Sequence, residues 1–185
     1  RVVAAIRNEA KLAAAGKPGR IIAKMNSLLE PIIIEELYAA SQAGAKIDLI
    51  VRGVCGLRPG IAGLSENIQV RSVVGRFLEH SRIFRFGSDA RGPVYAIGSA
   101  DLMARNLDRR VEVVTPVEDA QLSARLRDVL DALLADDVLA WELDASGRWS
   151  RVGRRTGTNA QTVLQDLAAR RAERSIPPNP VTPSD

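Results

Sequence analysis

Lys46-Ile47-Asp48-Leu49-Ile50-Val51-Arg52 is a short apolar run with a single acidic interruption, and its length and β-branched content predict a strand. The near-continuous apolar middle implies a place inside a sheet, covered on both faces. Upstream, Arg20-Ile21-Ile22-Ala23-Lys24-Met25-Asn26 reads as a second strand. Between them, Glu30-Pro31 through Ser41 reads as a helix, with Pro31 in its first turn and Gly44 past its end. Strand, helix and strand in that order form a βαβ unit with parallel strands and a right-handed crossover. The fold class is therefore α/β, and Arg52-Gly53 stands at the carboxyl end of a strand, the edge where open α/β sheets bind ligands.

Working outward, residues 1–15 place Val2, Val3, Ile6, Ala10 and Ala13 on one helical face, and Gly16-Lys17-Pro18-Gly19 ends that helix. On the strand that follows, Lys24 and Asn26 point the same way, two residues apart. Lys24 suits a phosphate and Asn26 a ribose or a metal-bound oxygen; the alternative for both is a solvated strand end. Beyond Arg52, the loop Val54-Cys55-Gly56-Leu57-Arg58-Pro59-Gly60 offers backbone N–H groups and Arg58 to an anion. It lacks the Gly-Lys-Ser/Thr of a Walker motif. Ile68 to Val74 alternates like another strand and leads to the chain's one histidine.

That histidine lies in Phe77-Leu78-Glu79-His80-Ser81-Arg82-Ile83-Phe84-Arg85-Phe86, just before a strand-like run and among Arg76, Arg82 and Arg85. Imidazole can act near neutral pH as nucleophile, acid, base or phosphate partner, whereas the plainer reading is a residue packed at a strand end. A further strand, Pro93 to Ile97, runs into Gly98-Ser99-Ala100-Asp101-Leu102-Met103-Ala104-Arg105-Asn106, then Arg109-Arg110-Val111-Glu112-Val113. The stretch through Val114 is expected to close a strand before Pro116. Ala120 to Leu134 predicts an amphipathic helix whose apolar face comprises Leu122, Leu126, Val129, Leu130 and Leu133. Val138–Leu143, Ser146-Gly147 and Arg148–Val152 predict a hairpin, with Trp141 and Trp149 packing on the sheet rather than binding a base. Arg151, Arg154 and Arg155 form a basic cluster that reads as a solvated loop or as a polyanion track. A short helix from Thr158 to Arg174 follows. One domain is expected over 1–172, with a disordered proline-rich tail over 173–185.

Composition bounds the function. With 185 residues and 46% of them hydrophobic, the chain can bury one core, so a single domain is expected. The net charge of +4 is carried mostly by arginine, whose fork suits phosphate oxygens, so polyanions are natural partners. Aromatics make up only 4%, and no basic run is interleaved with them, which argues against nucleic acid. The single Cys55 rules out a disulfide framework and reads as a small buried apolar residue in a reducing, cytoplasmic setting. No signal peptide or spanning segment is evident. The chain begins at Arg1 in what reads as mid-helix, so it is expected to be a fragment of a longer protein.

The order His-x-Arg, strand, Gly-Ser-x-Asp, Arg-Asn, Glu resembles the second half-motif of the phospholipase D superfamily. Arg82 stands where that superfamily has Lys, and no Asp follows inside the strand, which sets the chain apart from ordinary phosphodiesterases. More specifically, Ile22 to Leu28, Leu49 to Cys55, Arg76 to Arg82, and Gly98 to Asp101 with Arg105-Asn106 resemble the C-terminal part of bacterial polyphosphate kinase, from near Arg1 to about Arg170. The resemblance implies a phospholipase D-like mixed sheet flanked by helices. It also implies reversible transfer of the ATP γ-phosphate to inorganic polyphosphate, through a phosphohistidine and with Mg2+. Arg52 and His80, 28 positions apart (80 − 52), match the family's nucleotide-contacting arginine and second active-site histidine.

The phosphorylated histidine and the metal ligands are expected in upstream domains of the same enzyme. The complete protein is expected to be a homo-oligomer, cytoplasmic, with membrane association an option. In such a site Arg52, with Arg58 and Arg82 behind it, would bind phosphate, and His80 would stabilise or protonate a departing oxygen. Ser99 would donate to the phosphate or to His80, while Asn106 and Glu112 would orient the histidine from behind. Two alternatives stay open: a homodimeric phospholipase D-like phosphodiesterase, with one half-motif from each copy, and a non-catalytic module that binds polyphosphate or nucleotide.

Overall fold

The computed structural model describes residues 1–175, so the expected tail lies, from 176 onward, outside the described residues. Helix α1 (Val2–Ala14) leads to strand β1 (Arg20–Met25), helix α2 (Pro31–Gln42), strand β2 (Lys46–Val51) and strand β3 (Ile68–Val73). Strand β4 (Arg82–Phe86), a short turn of 3-10 helix, β5 (Val94–Gly98), helix α3 (Ala104–Asp108) and β6 (Val114–Val117) follow. The chain closes with α4 (Ala120–Ala135), the hairpin of β7 (Ala140–Leu143) and β8 (Trp149–Arg151), and α5 (Ala160–Ser175).

The strands form one eight-stranded mixed sheet in the order β6-β5-β4-β1-β2-β3-β7-β8. Strands β1, β2 and β3 run parallel, as the βαβ reading requires, and every other pairing is antiparallel. Period-two alternation sorts the side chains into two cores. Ile21, Ala23, Met25, Ile47, Leu49 and Val51 meet Ile6 of α1 and Ile33, Leu37 and Ala40 of α2 on one face. Ile22, Ile50, Val73, Ile83 and Tyr95 meet Leu130 and Leu133 of α4 and Ala160 of α5 on the other.

Three expectations are corrected. Val111 and Val113 are exposed and precede β6, which instead begins at Val114 and includes Pro116. Strand β6 is an edge strand, where proline's missing N–H costs no ladder bond. Leu122 is exposed, so the buried stripe of α4 narrows to its second half, around Leu130 and Leu133. Leu126 and Val129 are only partly buried and line a cavity with Ile97 of β5 and Thr115 of β6.

Candidate functional site

The carboxyl ends of β1 and β2 lie side by side, with Met25 opposite Val51, so the residues just beyond them share an edge. Gly53 N–H donates to the Asn26 carbonyl at 2.7 Å. Arg52 donates from Nε to Asn26 Oδ1 at 2.7 Å and again from Nη2 to the same oxygen. Asn26 thereby fixes the guanidinium plane of Arg52, and Nη1 keeps its donors free of protein partners among the described residues. A side chain at position 53 would collide, because a Cβ there would lie 2.9 Å from the Asn26 carbonyl oxygen. Glycine follows Arg52 because the two strand ends approach this closely.

Asp101, 3% exposed, sits under the same edge. Its Oδ1 accepts from the backbone N–H of Asn26 at 2.8 Å, from that of Ser27 at 3.3 Å, and from Arg82 Nε at 3.1 Å. Its Oδ2 accepts from Arg82 Nη2 at 3.0 Å. Burial alone would raise the carboxyl's pKa, but the Arg82 guanidinium and the two backbone donors outweigh it and hold the group below its ordinary value. Arg82 then reaches the exposed His80: Nη1 lies 2.8 Å from Nδ1 and 3.3 Å from Nε2, and donates to the His80 carbonyl at 2.8 Å.

The loop that carries His80 is tied down from two sides. Lys24, 1% exposed, donates to the Ser81 carbonyl at 3.1 Å and pairs with Glu79 at 3.3 Å. Burial lowers the pKa of this ammonium, with Glu79 opposing and Arg52 and Arg82 adding to the decrease. From α5, Gln161 brackets Phe77, accepting its N–H at 3.0 Å and donating to its carbonyl at 2.8 Å, and also donates to Glu79 at 3.0 Å.

Ser99, Asn106 and Glu112 come together as one cluster. Glu112 accepts from Ser99 Oγ and, at 2.7 Å, from Asn106 Nδ2, and these two donors hold its carboxyl below the ordinary pKa. No hydrogen bond joins any of the three to His80 among the described residues, so the orientation from behind expected of Asn106 and Glu112 is not made by direct contact. An apolar-walled cavity of about 600 Å³ opens beside Arg82 and Ser99, between Ile97, Val113, Leu126 and Val129.

Arg58 does not join the cluster. It is exposed, and its guanidinium lies near Gly147 of the β7–β8 turn. Trp141 and Trp149 are half-buried, as sheet packing predicts, yet both also line a cavity of about 350 Å³ with Arg52, Gly53 and Ser72. Arg151 lies over the Trp141 ring at 5.7 Å. Cys55 is half-buried, and burial raises its thiol pKa, consistent with an inert packing role.

Two residues escaped the sequence reading, Asp101 as the partner of Arg82 and Gln161 as the tether of the histidine loop. Asp101 was visible within Gly-Ser-x-Asp, but its pairing spans 19 residues. Gln161 reaches across 84 residues, and no local pattern marks it.

Lys24, Arg52 and Arg82 converge at this edge near an exposed imidazole; Lys24 and Arg82 are paired with carboxylates, whereas Arg52 is bonded to a neutral partner, Asn26. The carboxylates of the edge are already engaged, Asp101 by Arg82, Glu79 by Lys24 and Glu112 by neutral donors. The described residues contain no group of three or more His, Cys, Asp or Glu able to hold a metal ion, and no helix among them is long and apolar enough to cross a membrane. Such an edge can orient and stabilise a phosphate, and it does not fit a divalent cation by direct ligation.

The chain is 54% identical over 168 residues to a polyphosphate kinase of Paraburkholderia phytofirmans, covering 90% of this chain and 24% of that protein. It therefore spans about a quarter of the length of such relatives. The crystal structure of polyphosphate kinase from Porphyromonas gingivalis superposes with a TM-score of 0.88 at 35% identity, over 94% of this chain and 27% of that one. Nuc from Salmonella typhimurium, a phospholipase D family member, matches with a TM-score of 0.51 at 14% identity, over 75% of this chain and 90% of its own, which shows a shared phospholipase D-like fold. The family model for polyphosphate kinase C-terminal domain 2 matches residues 1–163, and the chain belongs to that family.

Proposed function

We propose that this domain supplies one half of a composite active site that moves the terminal phosphate between ATP and inorganic polyphosphate. In the forward direction the bond between the β,γ-bridging oxygen and the γ-phosphorus breaks and ADP leaves, while a phosphorus–nitrogen bond forms to a histidine in the upstream part of the enzyme. That bond then breaks as a terminal oxygen of polyphosphate takes the phosphorus. Phosphoryl transfer asks the protein mainly for positioning and for cations around the equatorial oxygens. Arg52 binds a nucleotide phosphate through its free Nη1, and His80 donates a hydrogen bond or proton to the departing oxygen. Arg82 and Lys24, each paired with a carboxylate, hold the segment that carries His80, and Ser99 stands at the rim. Mg2+ would accompany the nucleotide and offset its phosphate charge, with its protein ligands in the upstream part. The whole enzyme works in the cytoplasm, where ATP is plentiful, and assembles as a homo-oligomer.

The observation that carries this reading is the convergence of Arg52, His80 and Arg82 on one sheet edge, where the carboxylates that could repel a phosphate are each already engaged. The test is a labelling assay with γ-labelled ATP and Mg2+ on this chain, alone and mixed with the separately expressed upstream part. Silence alone, with acid-labile phosphoprotein and polyphosphate from the mixture, is the expected result. Cleavage of a phosphodiester by this chain alone, lost in His80→Ala, would replace it with a self-sufficient homodimeric phosphodiesterase.

A further inference from the structure

Asp101 touches both functional arms of the edge at one remove. Through Oδ1 it holds the backbone N–H groups of Asn26 and Ser27, and Asn26 in turn accepts the guanidinium of Arg52. Through both oxygens it holds Arg82, whose Nη1 meets the His80 ring. Arg52 and His80 make no direct contact among the described residues, so their relative placement depends on what lies between them.

The chemistry of the Arg82–His80 contact adds a constraint. Arg82 Nη1 lies 2.8 Å from Nδ1 and 3.3 Å from Nε2 and also donates to the His80 carbonyl, so the guanidinium lies against the ring rather than along a single lone pair. That double contact limits where the ring can lie. We propose that Asp101 is a positioning residue for phosphoryl transfer, acting through Arg82 to fix the placement of His80 and through Asn26 to fix Arg52 at a set separation. This rests on the phosphotransfer reading above. It gives the Gly-Ser-x-Asp motif a role distinct from phosphate binding: its carboxylate faces inward, away from an anion it would repel.

A buried carboxylate beside a buried arginine could equally be a matter of stability alone, so the test separates the two. In the full-length enzyme, ATP formation from ADP and polyphosphate is measured for Asp101→Asn, for Asp101→Asn combined with Arg82→Gln, and for Glu9→Gln. Glu9 is a similarly buried carboxylate that accepts from the Arg20 N–H and from Arg91 at the opposite, amino end of β1, and serves as the stability control. Asp101→Asn is expected to lower kcat at least tenfold, with KM for polyphosphate changed less than about threefold. The double variant, which leaves no unpaired buried charge, is expected to regain Tm over Asp101→Asn without regaining kcat. Glu9→Gln is expected to lose Tm and keep kcat within about twofold.

Recovery of kcat in the double variant, or a kcat loss in Asp101→Asn no larger than in Glu9→Gln, overturns the proposal and leaves Asp101 a structural ion-pair partner. If the unmodified enzyme forms no ATP from polyphosphate, the phosphotransfer reading itself falls. Where it does form ATP, the variants judge Asp101 alone.

Discussion

Lys24 and Glu79 meet at 3.3 Å with the lysine almost wholly enclosed, so a side chain that the strand pattern offers to a phosphate is committed instead to the loop before His80. Removing one partner of a buried pair leaves the other uncompensated, which costs more than the pair is worth intact. Glu79→Gln is expected to lower unfolding free energy by about 3 kcal/mol in urea denaturation. Lys24→Met/Glu79→Gln should recover most of that loss. Equal stability of Glu79→Gln and the unmodified chain would show that Lys24 is solvated.

Arg52 offers a planar fork whose Nε and Nη2 are already spent on one asparagine oxygen. Arg52→Ala in the full-length enzyme should reduce kcat/KM at least about tenfold, the loss of roughly one charge-assisted bond. Arg52→Lys should not restore it, because an ammonium cannot hold Asn26 and a phosphate in one plane. Near-normal kinetics in either variant would remove Arg52 from the site.

Gly53 is a packing demand at the edge itself. A methyl group there would press on the Asn26 carbonyl at 2.9 Å and on Ser27 Oγ at 3.2 Å. Gly53→Ala is expected to cost about 1–2 kcal/mol and to lower kcat by separating the two strand ends. A structure of the variant should show Asn26 displaced; an unmoved Asn26 with full activity would refute the argument.

Acid should loosen the molecule at two carboxylates. Asp137 accepts the N–H of Thr156, whose contribution is largest, against a smaller opposing effect of burial, and it also accepts those of Arg155 and Gly157; these bonds hold its pKa far below the ordinary value. Asp101 is lowered as well. For a depressed carboxyl the unfolded chain binds protons first, so stability rises with pH through the window. The contribution is complete above the unfolded value of about 4 and is lost as pH falls through the folded values. Asp137→Asn should flatten the dependence of Tm on pH below about 4; an unchanged slope would assign the acid sensitivity elsewhere.

Much of the sheet is legible because its central strands alternate or run apolar and are bounded by strong stops, such as Gly16-Lys17-Pro18-Gly19 ahead of β1. The βαβ core and the hairpin follow from such local signals; Ser99, Asn106 and Glu112, expected to serve His80, bond to one another instead. What local pattern could not show was which side chains neutralise one another. A phospholipase D-like pattern puts an acid inside the strand after the basic residue. Here the acid arrives from beyond β5, because folding β5 against β4 brings Gly98 opposite Arg82 and carries Asp101 under it. Pro116 misled for a similar reason: proline stops a strand only where its N–H would have been needed, and an edge strand relaxes that rule.

The place of β1 in the sheet also dictates how the molecule must assemble. Strands β1, β2 and β3 can pair in order as the chain lengthens, but β4 must return past them to lie against the far side of β1, and Lys24 meets Ser81 across 57 residues. Contacts of such high sequence separation are slow to form, since chain entropy is lost before any bonding compensates. The strand that leads out of the His80 segment docks on β1, which already belongs to the unit that ends in Arg52. The edge is complete only when β4 has returned to β1 and α5 has brought Gln161 to Phe77 across 84 residues, so the placement of His80 depends on the chain through to its last described helix.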